Sequence, residues 1–321
     1  MEAEKRRTGR DFARQAVPWL VLLAGLSLAG CRMLPTAETE YVGPELPPSP
    51  TLDQIAAFVN GNASRIQSFI ADEAVISGPG IPSLRTQIAF ERPRRLRIRG
   101  ETGISGMELD VGSNDEVFWF WVKRNQPPAL YFSRWSDYDL PGSVARRAVP
   151  LDPQWLVEAF GIAEIDLASP TEGPIPLAGN RLEIRTRRQT PEGPVAKVMV
   201  LDAQYGLVLA QHLYDPQGRL LASAVSYDHR RDPVSGLVMP RSVELQVPRA
   251  GMTLRVHLGN ARINQPAADP AGTWAMPQYP GYPLVNLADP AMQAVPVPQS
   301  QPVVYSGALP ACTPQTAVLA Y

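Results

Sequence analysis

Between residues 51 and 264 apolar and polar side chains alternate in one segment after another. A period of two commits such segments to β-strands with one buried face. In Arg95-Leu96-Arg97-Ile98-Arg99, Leu96 and Ile98 fall on one face and three arginines on the other. Met252 to Leu258 repeats the pattern, as do Val243, Leu245 and Val247, and Leu182 with Ile184. Turn-forming residues separate these segments at 112–115, 125–128, 202–206, 215–218 and 232–236. Short strands punctuated so regularly predict an antiparallel meander rather than βαβ units.

Two helices are expected to interrupt the meander. Thr51-Leu52-Asp53-Gln54 has the form of a capping box, Leu52, Ile55, Phe58 and Val59 then share one face, and Asn60-Gly61 is the expected stop. Asp152-Pro153 reads as an N-cap followed by proline at the first helical position, with Trp155, Leu156, Ala159 and Phe160 as the apolar face and Gly161 as the stop. The run Val117-Phe118-Trp119-Phe120-Trp121-Val122 breaks the alternation, because both of its faces are apolar. Such a strand needs cover on each side. Either a helix covers the second face permanently, or a curved sheet forms an apolar groove lidded by the two helices.

Proline, 34 of 321 residues, crowds the flanks. Residues 32–50 read as an extended, semi-rigid spacer. From Gln265 to Tyr321 prolines recur without a helical or strand period, which predicts a largely disordered tail. Its aromatic residues Trp274, Tyr279 and Tyr282 are free to dock on the domain or on a partner in the cell envelope.

At the other end, Lys5, Arg6, Arg7, Arg10 and Arg14 precede an apolar run from Leu20 to Leu28, which leads into Leu28-Ala29-Gly30-Cys31. A basic stretch, a short apolar core and small residues read as a secretory signal. The run is well short of the roughly 20 residues that span a bilayer. The tetrapeptide resembles the lipobox of bacterial lipoproteins. That resemblance implies removal of residues 1–30, a diacylglyceryl group on the Cys31 thiol and an acyl group on its new amino terminus; beyond these covalent groups no cofactor is expected. Each buried methylene contributes about 0.8 kcal/mol, so several acyl chains hold a protein on a membrane. Arg32 stands where aspartate retains such proteins at the inner membrane of enteric bacteria, which implies the outer membrane, facing the periplasm. An acylated Cys31 leaves Cys312 without a disulfide partner. The net charge of −1 offers no basic face for nucleic acid.

Phe90-Glu91-Arg92-Pro93-Arg94-Arg95-Leu96-Arg97 resembles a hairpin of the Lol-type periplasmic lipoprotein carrier and its outer-membrane receptor. Asp110 to Asp115 with Val117 to Trp121 is similar to that superfamily's turn and following strand, and Leu201 to Val208 to a later hairpin. The resemblance implies an incomplete antiparallel β-barrel, here of about 11 strands, around an apolar cavity closed by covering helices. It also implies cargo: acyl chains or lipid-modified proteins. The expected cavity residues are Leu96, Ile98, Leu109, Trp119, Trp121, Phe58 and Phe160; a shift of register by one exchanges the tryptophans for Phe118 and Phe120. Arg92 matches the carrier arginine that bonds to the lid and helps gate the cavity. The receptor branch, itself a lipoprotein, receives cargo with an exposed apolar loop residue, for which Ile81 is the candidate.

Catalytic patterns are not found. His212, His229 and His257 stand apart without metal-ligand spacing, His257 at an outward strand position and His229 in a loop. No Gly-x-Ser-x-Gly elbow occurs, and the glycines between 100 and 106 lie between strands rather than in a phosphate loop. The sequence therefore reads as a non-enzyme in four parts: signal 1–30, lipidated cysteine and proline-rich linker 31–50, half-barrel domain 51–264, and tail 265–321. The expected function is a membrane-anchored lipoprotein that holds acyl chains or lipoproteins in an apolar cavity. The alternative is a structural or interaction lipoprotein that uses the same scaffold and its tail.

Overall fold

Register turns the alternation into two distinct faces. The computed structural model describes residues 43–149, 153–190 and 193–291. Helix α1 (Leu52–Ala63) precedes six strands, β1 (Ser68–Gly78), β2 (Ile81–Glu91), β3 (Arg95–Thr102), β4 (Gly106–Ser113), β5 (Val117–Val122) and β6 (Leu130–Arg134). Three short helices follow, α2 (Trp135–Tyr138), α3 (Val144–Ala148) and α4 (Pro153–Ala159). Then come β7 (Thr171–Leu177), β8 (Arg181–Thr190), β9 (Gly193–Asp202), β10 (Val208–Tyr214), β11 (Leu220–Arg231), β12 (Val238–Val247) and β13 (Met252–His257). The short β14 (Arg262–Ile263), α5 (Pro270–Trp274) and β15 (Leu284–Asn286) complete the described chain.

The strands form one large open sheet, not closed into a barrel, in the order β15-β6-β5-β4-β3-β2-β1-β13-β12-β11-β10-β9-β8-β7, with β14 paired to β1. All pairs are antiparallel except β15 with β6. The described residues hold fifteen strands where the sequence predicts about 11. β14 and β15, of two and three residues, are too short to show a period.

Directly opposed residues share a face. Leu96 opposes both Phe90 and Ser113, Val256 opposes Val243, and Leu245 opposes Ala224. One face is thus apolar from β4 through β1 and β13 to β11, and it carries the largest core cluster, with Phe69, Phe90, Leu96, Ile98, Trp155 and Phe160. Helices α1 and α4 lie on this face.

Ser113 also opposes Phe118, and Val111 opposes Phe120. Phe118 and Phe120 therefore stand on the helix-bearing face, whereas Trp119 and Trp121 stand on the other. This corrects the cavity set by one register. The face bearing Phe118 is covered by α2 and α3, with Trp135 and Tyr138 5.0 and 5.1 Å from the Phe118 ring. The two helices foreseen as lids do not cover β5.

The tryptophan face is covered by residues 273–282, which the sequence predicts as part of a loose tail. Instead they form a strap, and the chain then crosses to the other face, where Val285, Leu287 and Ala288 join the Phe118 cluster. Tyr279 stacks on Trp121 at 4.0 Å, Tyr282 packs edge-on against the same ring, and β15 pairs with β6. Arg97, expected on a wet face, is buried beneath it. Its guanidinium binds the Asp110 carboxylate at 2.7 Å and donates to the carbonyls of Thr273 and Ala275. Tyr279 donates its hydroxyl to Asp110 at 2.6 Å, and the Trp119 ring nitrogen donates to the same carboxylate. Burial, and then this bond to Asp110, push the Tyr279 phenol well above its ordinary range. Gly112 is required here, because a Cβ would fall inside the Trp119 ring. Residues 292–321, with Cys312, and residues 1–42, with Cys31, lie outside the described residues. The linker docks as well, since Leu46 is buried and its amide donates to the Gln204 carbonyl. His229, expected in a loop, lies in β11 and donates from Nε2 to the Val208 carbonyl. No helix among the described residues is long and apolar enough to cross a membrane.

Removing one partner of a buried ion pair leaves a charge without compensation, at a cost of about 3–5 kcal/mol. Asp110→Ala should therefore lower the unfolding free energy by that amount and raise amide exchange across 273–287, read by denaturant titration and hydrogen exchange. Burial also lowers the His212 and His229 imidazoles below 6.5. The unfolded chain takes up protons there first as pH falls, so stability is full above pH 6.5 and declines below it. Denaturation midpoints measured from neutral to acid pH should fall less steeply in His212→Gln/His229→Gln.

Candidate functional site beneath the helices

Helix α1 begins as predicted. Thr51 accepts from the Gln54 amide and Gln54 accepts from the Thr51 amide. Ile55, Ala56 and Val59 are buried, and Leu52 and Phe58 pack beside them against Leu182, Ile184, Met199 and Leu201. The helix runs past the expected stop at Asn60-Gly61, and its asparagines explain why. Asn60 accepts from the Ile165 amide and donates to its carbonyl, and Asn62 does the same with Val238. Each side-chain amide thus pairs with a backbone as a neighbouring strand would, and ties one edge of α1 to the domain.

Arg92 closes the end of α1. Its guanidinium donates to the carbonyls of Ala63 and Ile66, and it pairs with Glu164 at 2.9 Å. Glu164 belongs to the segment that follows α4. One side chain therefore fastens both covering elements.

Helix α4 supplies the aromatic filling. Phe160 meets Phe69 edge-on at 6.0 Å, and Phe69 lies 5.8 Å from Phe90. Gly161, at φ 93°, turns the chain where a Cβ would strike Pro240 at 2.5 Å. The expected N-cap Asp152 lies outside the described residues. On its polar side, Glu158 pairs with buried Lys197 and with Arg188 at 3.2 Å, and its carbonyl accepts from Gln211. Burial lowers the Lys197 ammonium, with Glu158 opposing the shift. The indole nitrogen of Trp155 and Oε1 of Gln211 are buried without a partner. A cleft of about 480 Å³ opens beside these groups, lined among others by Asn60, Arg92, Glu158, Glu164, Asp166 and Arg188.

The predicted cavity residues are thus divided. Leu96, Ile98, Leu109 and Phe160 meet in one cluster, Phe58 lies in a neighbouring cluster under α1, and Trp119 and Trp121 are on the far face. Ile81 is 41% exposed, whereas Ile104, at the turn between β3 and β4, is fully exposed. Sequence reasoning passed over Ile104, although an isoleucine between Gly103 and Ser105 in a turn is itself a signal. It also passed over Lys197, a lone charge in the apolar run from Val195 to Leu201. Among the described residues, no group of three or more His, Cys, Asp or Glu could hold a metal ion.

No protein-family model matches the chain, and no curated protein matches it. Solved structures do. The chain is similar to a domain assigned to outer membrane lipoprotein sorting from Vibrio parahaemolyticus (9% identity, TM-score 0.46, 67% of this chain and 93% of that one). It is also similar to a DUF1329 family protein from Desulfovibrio piger (14%, TM-score 0.42, 67% and 92%). A third likeness is to a LolA superfamily protein from Nitrosomonas europaea (11%, TM-score 0.38, 66% and 94%).

Glu158→Gln removes the charge that compensates buried Lys197 and should cost about 3 kcal/mol of stability. Glu158→Leu/Lys197→Met, which removes both charges, should recover most of it in the same denaturant titration.

Proposed function

We propose that this protein is a non-catalytic, membrane-tethered lipoprotein of the cell envelope that takes up acyl chains, free or attached to lipoproteins, between its sheet and helices α1 and α4. One observation carries the reading: Arg92 fastens the end of α1 and the segment after α4 together, directly over an apolar layer. Burying a 16-carbon chain contributes on the order of 10 kcal/mol before the costs of binding, enough to displace side chains that fill the layer without any catalytic group. Arg92 acts as the gate in this reading, and exposed Ile104, more than Ile81, makes the first apolar contact with cargo. Acylated Cys31 supplies the tether, and the outer membrane facing the periplasm is the location.

A second reading is favoured by the burial of Trp155 and Phe160, at 4% and 1% exposure. In it the layer is permanently filled and the protein is a structural lipoprotein. Its partner-binding segment is then 292–321, because the aromatic residues of 265–291 are already engaged on the sheet.

The readings part on one experiment. Opening the latch raises the fraction of binding-competent protein, and apparent affinity rises with that fraction. Arg92→Leu should bind a fluorescent 16-carbon fatty acid several-fold more tightly than the wild type, and lipid should be found with both proteins by mass spectrometry. Two proteins without bound lipid and without affinity for the probe would contradict the proposal.

A further inference from the structure

The strap covers only part of the second face. Beside it lies an open groove of about 750 Å³, lined among others by Glu73, Arg85, Gln87, Arg99, Glu101 and Met107. Its floor is β2 and β3, and one rim is a bulge in β1 at Asp72-Glu73, where the register with β2 shifts. Met107 also belongs to the aromatic cluster under the strap, so groove and strap are neighbours.

Most arginines of the domain are committed: Arg92, Arg95, Arg97, Arg124, Arg188 and Arg255, for example, all hold carboxylates. Arg85 and Arg99 hold none and make no hydrogen bond among the described residues, although Glu101 lies directly opposite Arg85. Arg99 is opposite Gln87 on β2, so the two arginines are diagonal neighbours on one face; on β4 it is opposite Asp110, whose carboxylate is already taken by Arg97, Tyr279 and Trp119. Residues in that diagonal relation are about 7–8 Å apart, a spacing that two guanidinium groups close by converging on one oxyanion. Arginine suits that role, because its planar fork matches phosphate in bidentate fashion.

The acidic residues refine the ligand. Asp72 is held by Arg262 at 2.7 Å, which leaves Glu73 and Glu101 uncommitted. Two free cations and two free anions in one groove disfavour a simple anion and suit a ligand that carries both charges. Val75 and Met107 offer an apolar wall to methylene groups between them.

We propose that this groove binds a zwitterionic phosphate ester, a phosphate with an ammonium a few bonds away as in phosphoethanolamine. Arg85 and Arg99 grip the phosphate, and Glu101 with Glu73 receives the ammonium. The groove is on the opposite face from the helix-covered layer, so either site can fail alone.

The test uses the full chain in a nonionic, phosphate-free detergent, with binding followed by phosphorus NMR. Phosphoethanolamine should shift and broaden on titration, and inorganic phosphate should bind at least tenfold more weakly. Arg85→Gln/Arg99→Gln should lose at least tenfold in affinity. Arg134→Gln, which removes an arginine outside the groove, should not, with circular dichroism confirming the fold of both. Glu101→Gln should weaken phosphoethanolamine without weakening inorganic phosphate. Micelles doped with phosphatidylethanolamine, and not with phosphatidylglycerol, should displace the probe if the natural source is a lipid head group; no displacement by either assigns the site to the soluble ester. Absent binding, equal affinity for inorganic phosphate, or a double variant that binds within twofold of the wild type would overturn the proposal.

Discussion

An open sheet with apolar side chains on both faces has to be covered twice, and the rest of this structure follows from how each cover is held. A closed barrel would have needed no second cover, since its interior hides one face and has no edges. Here the helix-bearing face buries the large aliphatic and aromatic cluster, and the tryptophans of β5 project the other way. Burial of these side chains is the main source of stability. The polar groups at their margins decide which cover can move.

The two covers differ in that respect. The strap is held by a desolvated ion pair with further donors converging on one carboxylate, and by aromatic stacking. Lifting it would expose Arg97 and Asp110 together. Helix α4 is likewise anchored by a buried ion pair, Glu158 with Lys197, whereas α1 rests on apolar surface and is fixed at its rim by two asparagines and one arginine. Those groups are half-exposed, and water replaces their hydrogen bonds when they part, so the net cost of breaking each is about 0.5–1.5 kcal/mol. A cover of that kind suits exchange of contents, whereas the strap suits permanence.

Much of the fold was legible in the sequence, and what was not has physical causes. The capping box at Thr51, the strands around Leu96 and Leu245, and the need for two covers on β5 all follow from local pattern. The side to which the β5 tryptophans point does not, because it depends on pairing parity across the turn at 114–116. Arg97 reads like Arg95 and Arg99 in an alternating strand, and only the strap makes it different. The strap itself left no period to detect: prolines set its path, and three aromatic side chains and a buried carboxylate fix it from the outside. Asn60-Gly61 looked like a helix end because an asparagine that bridges to a distant backbone has the same local sequence as one that caps. For the candidate site, strand and helix periodicity groups Leu96, Ile98 and Phe160, which share a cluster, whereas the polar rims, Glu164, Glu158 and Lys197, are joined across long stretches of chain that no local pattern records.

The central claim is that α1 must move for an acyl chain to enter. Locking it tests this most directly. In a Cys312→Ser background, Asn62→Cys/Val238→Cys places one thiol on α1 and one on the strand it is bonded to, for closure by oxidation or by a short cross-linker. Binding of a fluorescent 16-carbon fatty acid should be lost when the pair is joined and return on reduction. Equal binding in the joined and reduced states would contradict the account.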